Sequence, residues 1–117
     1  MNNAVWSPLG QSFADGAGGT YASVFLAPAQ DQAAAVDVSW VIVLSYAAAH
    51  EVGHLLLGDH AHTPRGLMKA HWDKNDYRDM NQNRFHFSDE QVRELTGRFG
   101  ITHSVKIGSS VALEVRQ

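Results

Sequence analysis

The alternation of apolar and polar positions predicts the first regular elements after residue 19. The run from Thr20 to Ala27 is rich in β-branched and aromatic residues and ends at Pro28, which predicts a strand. Pro28 suits the first turn of a helix, so we expect a short helix from there to Ala35. Residues 1–19 are rich in glycine and offer few side chains to pack, so we expect them to be loosely ordered.

The longest apolar stretch predicts the central helix of the fold. Asp37 or Ser39 can cap a helix that continues to Leu57, where Gly58 can take the left-handed conformation that closes it. Such a helix has about 19 residues and a length of about 28 Å. The run from Trp40 to Leu44 is apolar on every side, so we expect the first half of this helix to lie in the middle of the domain.

The second half of the chain is more polar. The stretch from Asp73 to Arg84 is typical of an irregular surface excursion. Ser88 and Gln91 form a capping box, which predicts a helix that reaches about Arg98. The segment 105–115 carries two short apolar runs around a Gly-Ser-Ser sequence, and it favours a hairpin or a trailing strand.

Length and composition limit the number of domains and the class of partner. A chain of 117 residues is long enough for one compact domain, so we expect one α+β domain over residues 1–117. In it, a small mixed sheet packs on the long helix and a further helix lies towards the C terminus. The hydrophobic fraction of 44% and charged fraction of 18% are typical of soluble globular proteins, and the net charge of -3 excludes a basic surface for nucleic acid or an anionic membrane.

The N terminus and the absence of cysteine add little about location. The first residues lack a basic region followed by an apolar run, so we expect no signal peptide, and both a secreted and a cytoplasmic protein remain open. The composition is compatible with a monomer and does not determine the oligomeric state. Because the chain has no cysteine, histidine and carboxylate side chains must hold any transition metal.

Candidate chemistry is concentrated in the second half of the long helix, in the sequence His50-Glu51-Val52-Gly53-His54. Histidines four residues apart on a helix lie about 40° apart around its axis, so His50 and His54 can bind one ion from consecutive turns. Glu51 lies beside that face, where a carboxylate can reach a metal-activated water without ligating the metal. Zinc suits neutral imidazoles, and a catalytic zinc ion needs three protein ligands and one open position.

The residue types leave several candidates for the third ligand. His60 and His62 follow the helix directly, and each can turn back towards it. Glu90 or Glu94 on the later helix is a further alternative, because carboxylates also bind zinc.

The motif resembles that of the metzincin clan of zinc peptidases, which is His-Glu-x-x-His-x-x-Gly-x-x-His followed by a Met-turn. The residues at matching positions are His50, Glu51, His54 and His60. The glycine, however, is Gly58, one place later than in the pattern. If the helix runs one residue further before it turns, the third ligand is displaced along the chain as well.

A second resemblance is to small bacterial proteins with the signature Ala-His-Glu-Ile-Gly-His-Leu-Leu-Leu-Gly, a short loop, a histidine and Gly-Ile/Leu-Met-Arg-Ala-x-Trp. In this chain the corresponding parts are Ala49 to Gly58, then His62, then Gly66 to Trp72. The similarity extends over about residues 20 to 95. It implies that His62 is the third zinc ligand in preference to His60.

The resemblance also implies roles for neighbouring residues. Met68 would form a hydrophobic floor beneath the ligating imidazoles, which differs little from an ordinary core position. Trp72 is expected to pack beside it, and Tyr77 or Arg78 is a candidate for stabilising an oxyanion. The other histidines are expected to be surface or hydrogen-bonded residues: His71, His86 and His103. In zincins an edge strand holds the peptide by backbone pairing, and Thr20 to Ala27 is either that strand or a plain core strand.

Together these features predict a zinc-dependent endopeptidase with a peptide or protein substrate. Zinc on His50, His54 and His62 would activate water, and Glu51 would act as general base and then as general acid. One alternative is a non-catalytic zinc-binding structural or interaction domain, with a closed site that uses both His60 and His62. The other alternative is a metal-free interaction domain.

Overall fold

The computed structural model of the chain describes residues 9–14, 20–58, 60–99 and 111–116. Three strands and four helices lie within this part of the chain. In order they are β1 (Gly10–Ala14), β2 (Thr20–Phe25), α1 (Leu26–Val36), α2 (Trp40–Leu57), α3 (Lys74–Asn81), α4 (Asp89–Phe99) and β3 (Val111–Arg116). The predicted α+β class, with a small mixed sheet packed on a long helix, is confirmed.

The three strands form one sheet in the order β1-β2-β3. β1 runs antiparallel to β2, with Gly10 opposite Val24, and β3 runs parallel to β2. A parallel pair needs a crossover connection, and all four helices lie within it. The trailing strand predicted near the C terminus is therefore confirmed, while residues 105–107 lie outside the described part of the chain.

The central position of β2 decides between the two interpretations of the run Thr20 to Ala27. β2 lies between β1 and β3, so it is a core strand and not the edge strand that would pair with a peptide. It ends at Phe25, and its predicted last residues, Leu26 and Ala27, already belong to α1. Pro28 lies in the first turn of α1, as predicted, where a missing N–H costs no hydrogen bond.

Strand β1 contradicts the expectation that the first 19 residues are loosely ordered. Residues 10–14 pair with β2 along their whole length, and the Phe13 ring stacks on Tyr21 of β2 with 4.9 Å between the centroids. Residues 1–8 and 15–19 are not described. The local composition did not indicate this strand, because pairing with β2 and packing on α2 stabilise it rather than its own small side chains.

Helix α2 begins and ends where the sequence predicts. The Ser39 side chain caps it by accepting a hydrogen bond from the Val41 N–H at 3.3 Å. Asp37 closes the preceding helix instead, with a left-handed φ of 57°. Gly58 ends α2 with a φ of 108°, a backbone conformation that favours glycine, although it is not the left-handed helical one that we expected.

The first half of α2 is less buried than its apolar sequence predicts. Trp40 and Val41 are 43% and 52% exposed while Val43 is fully buried, so the expectation that this half lies in the middle of the domain is wrong for its first two residues. The buried residues of the helix are Val43, Ala47, His50, Glu51 and Gly53. By length and hydropathy α2 is apolar enough to cross a membrane, a test that core helices of soluble proteins also meet. α2 thus presents one face to the core and another to the surface.

Helix α3 contradicts the expectation of an irregular excursion from Asp73 to Arg84. Asp73 and Asp76 form a reciprocal capping box, in which the Asp76 N–H donates to Asp73 Oδ1 at 3.0 Å and the Asp73 N–H donates to Asp76 Oδ2 at 2.8 Å. Tyr77 and Met80 are 2% and 3% exposed and belong to the core. The polar composition of this stretch concealed two core residues on one face of a short helix.

Helix α4 begins where predicted, but its capping box is only half formed. The Gln91 N–H donates to the Ser88 hydroxyl oxygen at 3.2 Å. The Gln91 side chain does not complete the box: its Oε1 has no hydrogen-bond partner among the described residues, and its Nε2 donates to the Ala61 carbonyl at 2.8 Å. This long-range bond was not predictable from the local sequence.

Candidate metal centre

Three histidines lie together at the end of α2. His50 and His54 come from consecutive turns of the helix, and His62 comes from the loop that follows it. One ring nitrogen from each lies within 4.8 Å of the others, and the ring centroids are 4.7 to 5.4 Å apart. Three imidazoles around one point are the ligand set of a tetrahedral metal ion with one open position.

The second nitrogen of each helical histidine contacts a backbone carbonyl. His50 Nδ1 lies 2.7 Å from the Leu67 oxygen, and His54 Nδ1 lies 3.0 Å from the Gly58 oxygen. A carbonyl oxygen only accepts hydrogen bonds, so each Nδ1 carries a proton and donates it. This assigns a free lone pair to each Nε2, which is the tautomer that binds a metal through Nε2.

The separation of two ring nitrogens also fits a shared ion. His54 Nε2 and His62 Nε2 lie 3.0 Å apart. Two nitrogens at zinc–nitrogen distances in a tetrahedral site would be about 3.4 Å apart. A shift of a few tenths of an ångström in either side chain therefore suffices for both to ligate one ion.

Burial favours the neutral form of these rings. It lowers the pKa of His50 to about 4, although the hydrogen bond to Leu67 acts in the opposite direction. His62 is exposed, but the partial desolvation of its ring still lowers its pKa, and the neighbouring His54 and His71 lower it further by charge repulsion. Because only neutral imidazole binds a metal, His50 and His62 are in the ligating form at neutral pH.

Glu51 is buried beside these rings and is covered by β1. Burial raises the pKa of its carboxyl group, while the charge of His54 and a hydrogen bond from the Ser12 hydroxyl lower it. A Cβ atom at Gly10 would lie 2.8 Å from Glu51 Cγ and 2.7 Å from the Ser23 carbonyl oxygen. Only glycine allows β1 to approach so closely. Sequence reasoning missed Gly10 and Ser12, because the motif does not indicate which strand covers its glutamate.

Met68 and Trp72 pack against the motif as the resemblance implies. Met68 is fully buried, and a Cβ atom at Gly53 would lie 2.5 Å from its sulfur. Gly53 stands between the two helical histidines, so its missing side chain lets the turn around Met68 approach α2. The Trp72 ring meets the His50 ring edge to face, with 5.6 Å between the centroids.

The loop that carries His62 is held on both sides of that residue. Before it, the Ala61 carbonyl accepts a hydrogen bond from the Gln91 side chain, which is only 7% exposed. After it, the Thr63 N–H donates to the Met68 carbonyl at 3.1 Å. These two bonds connect the loop to α4 and to the turn beneath α2, and they determine where His62 stands.

The other predicted ligands do not join the cluster. His60 is exposed, and the three-histidine group found among the described residues does not include it. Glu90 and Glu94 are exposed on α4, and the Glu94 carboxylate pairs with Arg98 at 2.8 Å. Of the two loop histidines, the fold therefore brings His62 and not His60 to the helical pair.

A cavity of about 460 Å³ opens beside Glu51 and the histidines. Tyr77 lines it, and burial raises the pKa of its hydroxyl group to about 12, so the O–H stays protonated and can donate. Arg78 is exposed and does not line it. His71, expected to lie away from the site, does line it, because the turn before α3 returns the chain to α2. His86 is exposed, and His103 is outside the described residues.

Similarity to known proteins assigns no role to this site. Comparisons with protein-family models, with curated proteins and with solved structures give no match. A function is therefore inferred from the arrangement of the site's side chains alone.

Proposed function

We propose that this protein is a zinc-dependent peptidase, in which His50, His54 and His62 hold the metal ion and Glu51 is the general base and acid. One observation carries the proposal: three imidazoles converge on one point, with a buried carboxylate beside them and a cavity in front of both. Each part has its own role in the hydrolysis of an amide bond.

The donor set favours zinc. Neutral imidazoles are typical zinc ligands, and three of them leave a fourth position for water or substrate. Zinc, when bound, supplies Lewis acidity, which lowers the pKa of water and polarises a carbonyl group. The carbonyls of Gly58 and Leu67 orient two of the rings and make them more basic ligands.

Glu51 would move one proton twice. It accepts a proton from the attacking water as the oxygen adds to the peptide carbonyl carbon, and it returns that proton to the amine as the C–N bond breaks. The oxygen of water ends in the new carboxyl group and the transferred proton ends on the new amine, so Glu51 returns to its starting form. Burial, which raises the pKa of Glu51, makes it a stronger base than an exposed glutamate.

The Glu51→Gln variant is the direct test. We expect it to retain one zinc ion per chain and to lose peptide hydrolysis by about 10²- to 10⁴-fold, because general acid–base catalysis contributes that much. The matched control is Glu90→Gln, which removes an exposed carboxylate on α4 outside the cavity. The measurements are metal content by mass spectrometry and cleavage of a mixed peptide library.

Two outcomes would overturn the proposal. Unchanged hydrolysis in Glu51→Gln would exclude its role as the base. A zinc-loaded wild-type protein that cleaves no peptide would favour the structural or interaction domain, in which the metal has no catalytic role.

A further inference from the structure

The cavity beside Glu51 has a second wall that the proposed chemistry does not use. This wall is helix α1, which contributes Pro28, Asp31 and Gln32. Spacings of three and four residues place these side chains on one face of α1. Helix α2 lines the same cavity with His50 and Glu51. A substrate held at the metal centre would therefore also be within reach of α1.

The formal charges on the cavity wall have one sign. Apart from the histidines, two charged residues line the cavity within the described part of the chain, and both are acids: Asp31 and Glu51. Lys69 does not line it, and its ammonium group is held by Asp73 at 3.0 Å and Asp76 at 2.7 Å. Glu51 serves the proton transfer, which leaves Asp31 as the carboxylate available to a substrate group.

The rest of the lining suits the same kind of group. Trp72 and Tyr77 line the cavity, and aromatic rings attract cations as well as apolar stems. The volume of about 460 Å³ lies within the range of about 300–1,000 Å³ typical of ligand pockets. A long side chain with an apolar stem and a cationic end therefore fits the shape of this space and the negative charge of Asp31, while the zinc ion proposed at the histidines would offset the charge of Glu51.

We propose that Asp31 forms a subsite for a cationic nitrogen group of the peptide substrate. The group is a lysine or arginine side chain, or the free amino terminus of the peptide. This inference rests on the proposed peptidase function, since it places the cation in the same cavity as the reacting bond. Asp31 would determine specificity, while the metal centre and Glu51 would carry out the reaction.

The test uses N-acetylated peptides in which one lysine is moved through each position of an otherwise neutral sequence. We expect one lysine position to raise kcat/KM about tenfold over the all-neutral peptide, which corresponds to about 1.4 kcal/mol. Asp31→Asn should remove this preference, so that the lysine and neutral peptides are cleaved with the same kcat/KM, and Asp31→Lys should reverse it in favour of glutamate. If the cation is the amino terminus, unacetylated peptides should be cleaved faster than their acetylated counterparts at every lysine position. Asp31→Asn should then abolish that difference.

Asp37→Asn is the matched control, because it neutralises an exposed acid at the end of α1 that does not line the cavity. Its left-handed backbone, with a φ of 57°, is one that asparagine also adopts. The preference for a cation should survive in this variant. If both Asp37→Asn and Asp31→Asn lose the preference for a cation, the overall negative charge of the protein causes that preference. The subsite would then be overturned.

Other outcomes separate this inference from the proposed function. The subsite is overturned if the wild-type preference for lysine survives in Asp31→Asn, or if the wild type shows no preference. Neither result contradicts the proposed peptidase function. If the zinc-loaded protein hydrolyses no peptide, the proposed function fails, and calorimetric binding to Glu51→Gln protein decides about Asp31. There, the lysine peptide should bind about tenfold more tightly than the neutral peptide, and equal affinities would overturn the subsite.

Discussion

The two halves of helix α2 reverse the usual relation between polarity and burial. Near its start, the apolar Trp40 and Val41 are 43% and 52% exposed, whereas near its end the polar His50 and Glu51 are each only 7% exposed. Both halves belong to one regular helix with the same backbone geometry. The difference comes from what packs around each half, and it shows that tertiary contacts decided which part became the interior.

The buried polar half is possible because its polar atoms have partners. A buried polar group without a hydrogen bond costs several kcal/mol, so the bonds of His50 to Leu67 and of Ser12 to Glu51 are necessary for this arrangement. A hydrophobic core would form more easily from Val, Leu or Ile at these positions. We interpret the retention of an imidazole and a carboxylate there as a sign of function.

The largest expected effect tests whether the polar half holds a metal. His62→Ala should weaken zinc binding by about 100- to 1,000-fold, since about 10–16 kcal/mol for a four-ligand site is about 2.5–4 kcal/mol per ligand. His60→Ala, which removes an exposed histidine two residues away, should bind zinc as the wild type does. Competition titration with a chelating dye measures both. A larger loss of zinc affinity in His60→Ala than in His62→Ala would show that His60, and not His62, is the third ligand.

The next effect tests the strand that buries this half. Gly10→Ala should lower the free energy of unfolding by about 1–3 kcal/mol, because the new Cβ meets Glu51 and the Ser23 backbone. Gly97→Ala is the control, since a Cβ atom there meets nothing within 4 Å and alanine favours a helix by up to about 1 kcal/mol. Urea unfolding compares the two variants. Equal stability changes would mean that β1 does not cover Glu51 closely.

A smaller effect tests how the His62 loop is held. Gln91→Leu should weaken zinc binding about tenfold, at the lower end of the 10- to 100-fold loss seen when outer partners of metal ligands are changed. In a His62→Ala background the same substitution should have no further effect on zinc affinity, which a purely structural role of Gln91 would not predict. Gln30→Leu, on an exposed position of α1, is the control.

The smallest effect tests the exposed apolar residues at the start of α2. Trp40→Gln should change the free energy of unfolding by no more than about 0.5 kcal/mol, as is usual for surface positions. Val43→Ala, at a fully buried position of the same half, should cost about 2 kcal/mol. Thermal and urea unfolding measure both. A large loss in Trp40→Gln would mean that this surface is covered in solution, and the contrast between the two halves would disappear.

Much of the candidate site could be predicted from local sequence. The spacing of His50 and His54, the helix that carries them and its end at Leu57 follow from the backbone geometry of a helix and from Ser39 and Gly58 as its boundaries. The proximity of His62 was implied by a resemblance, and the fold brings that residue to the helical pair. Local rules succeed here because a helix fixes the relative positions of residues within two turns.

Contacts between distant parts of the chain were not predictable in the same way. The sequence by itself determined the helix that carries His50 and His54, because its rise and turn depend only on neighbouring residues. Only the tertiary structure decided that Gly10 and Ser12 cover Glu51, that Tyr77 and His71 reach the cavity, and that Asp31 faces the same space. The physical reason is that these positions come from strand pairing and helix packing, whose free energy depends on partners far away in the chain and leaves no periodic pattern in either segment.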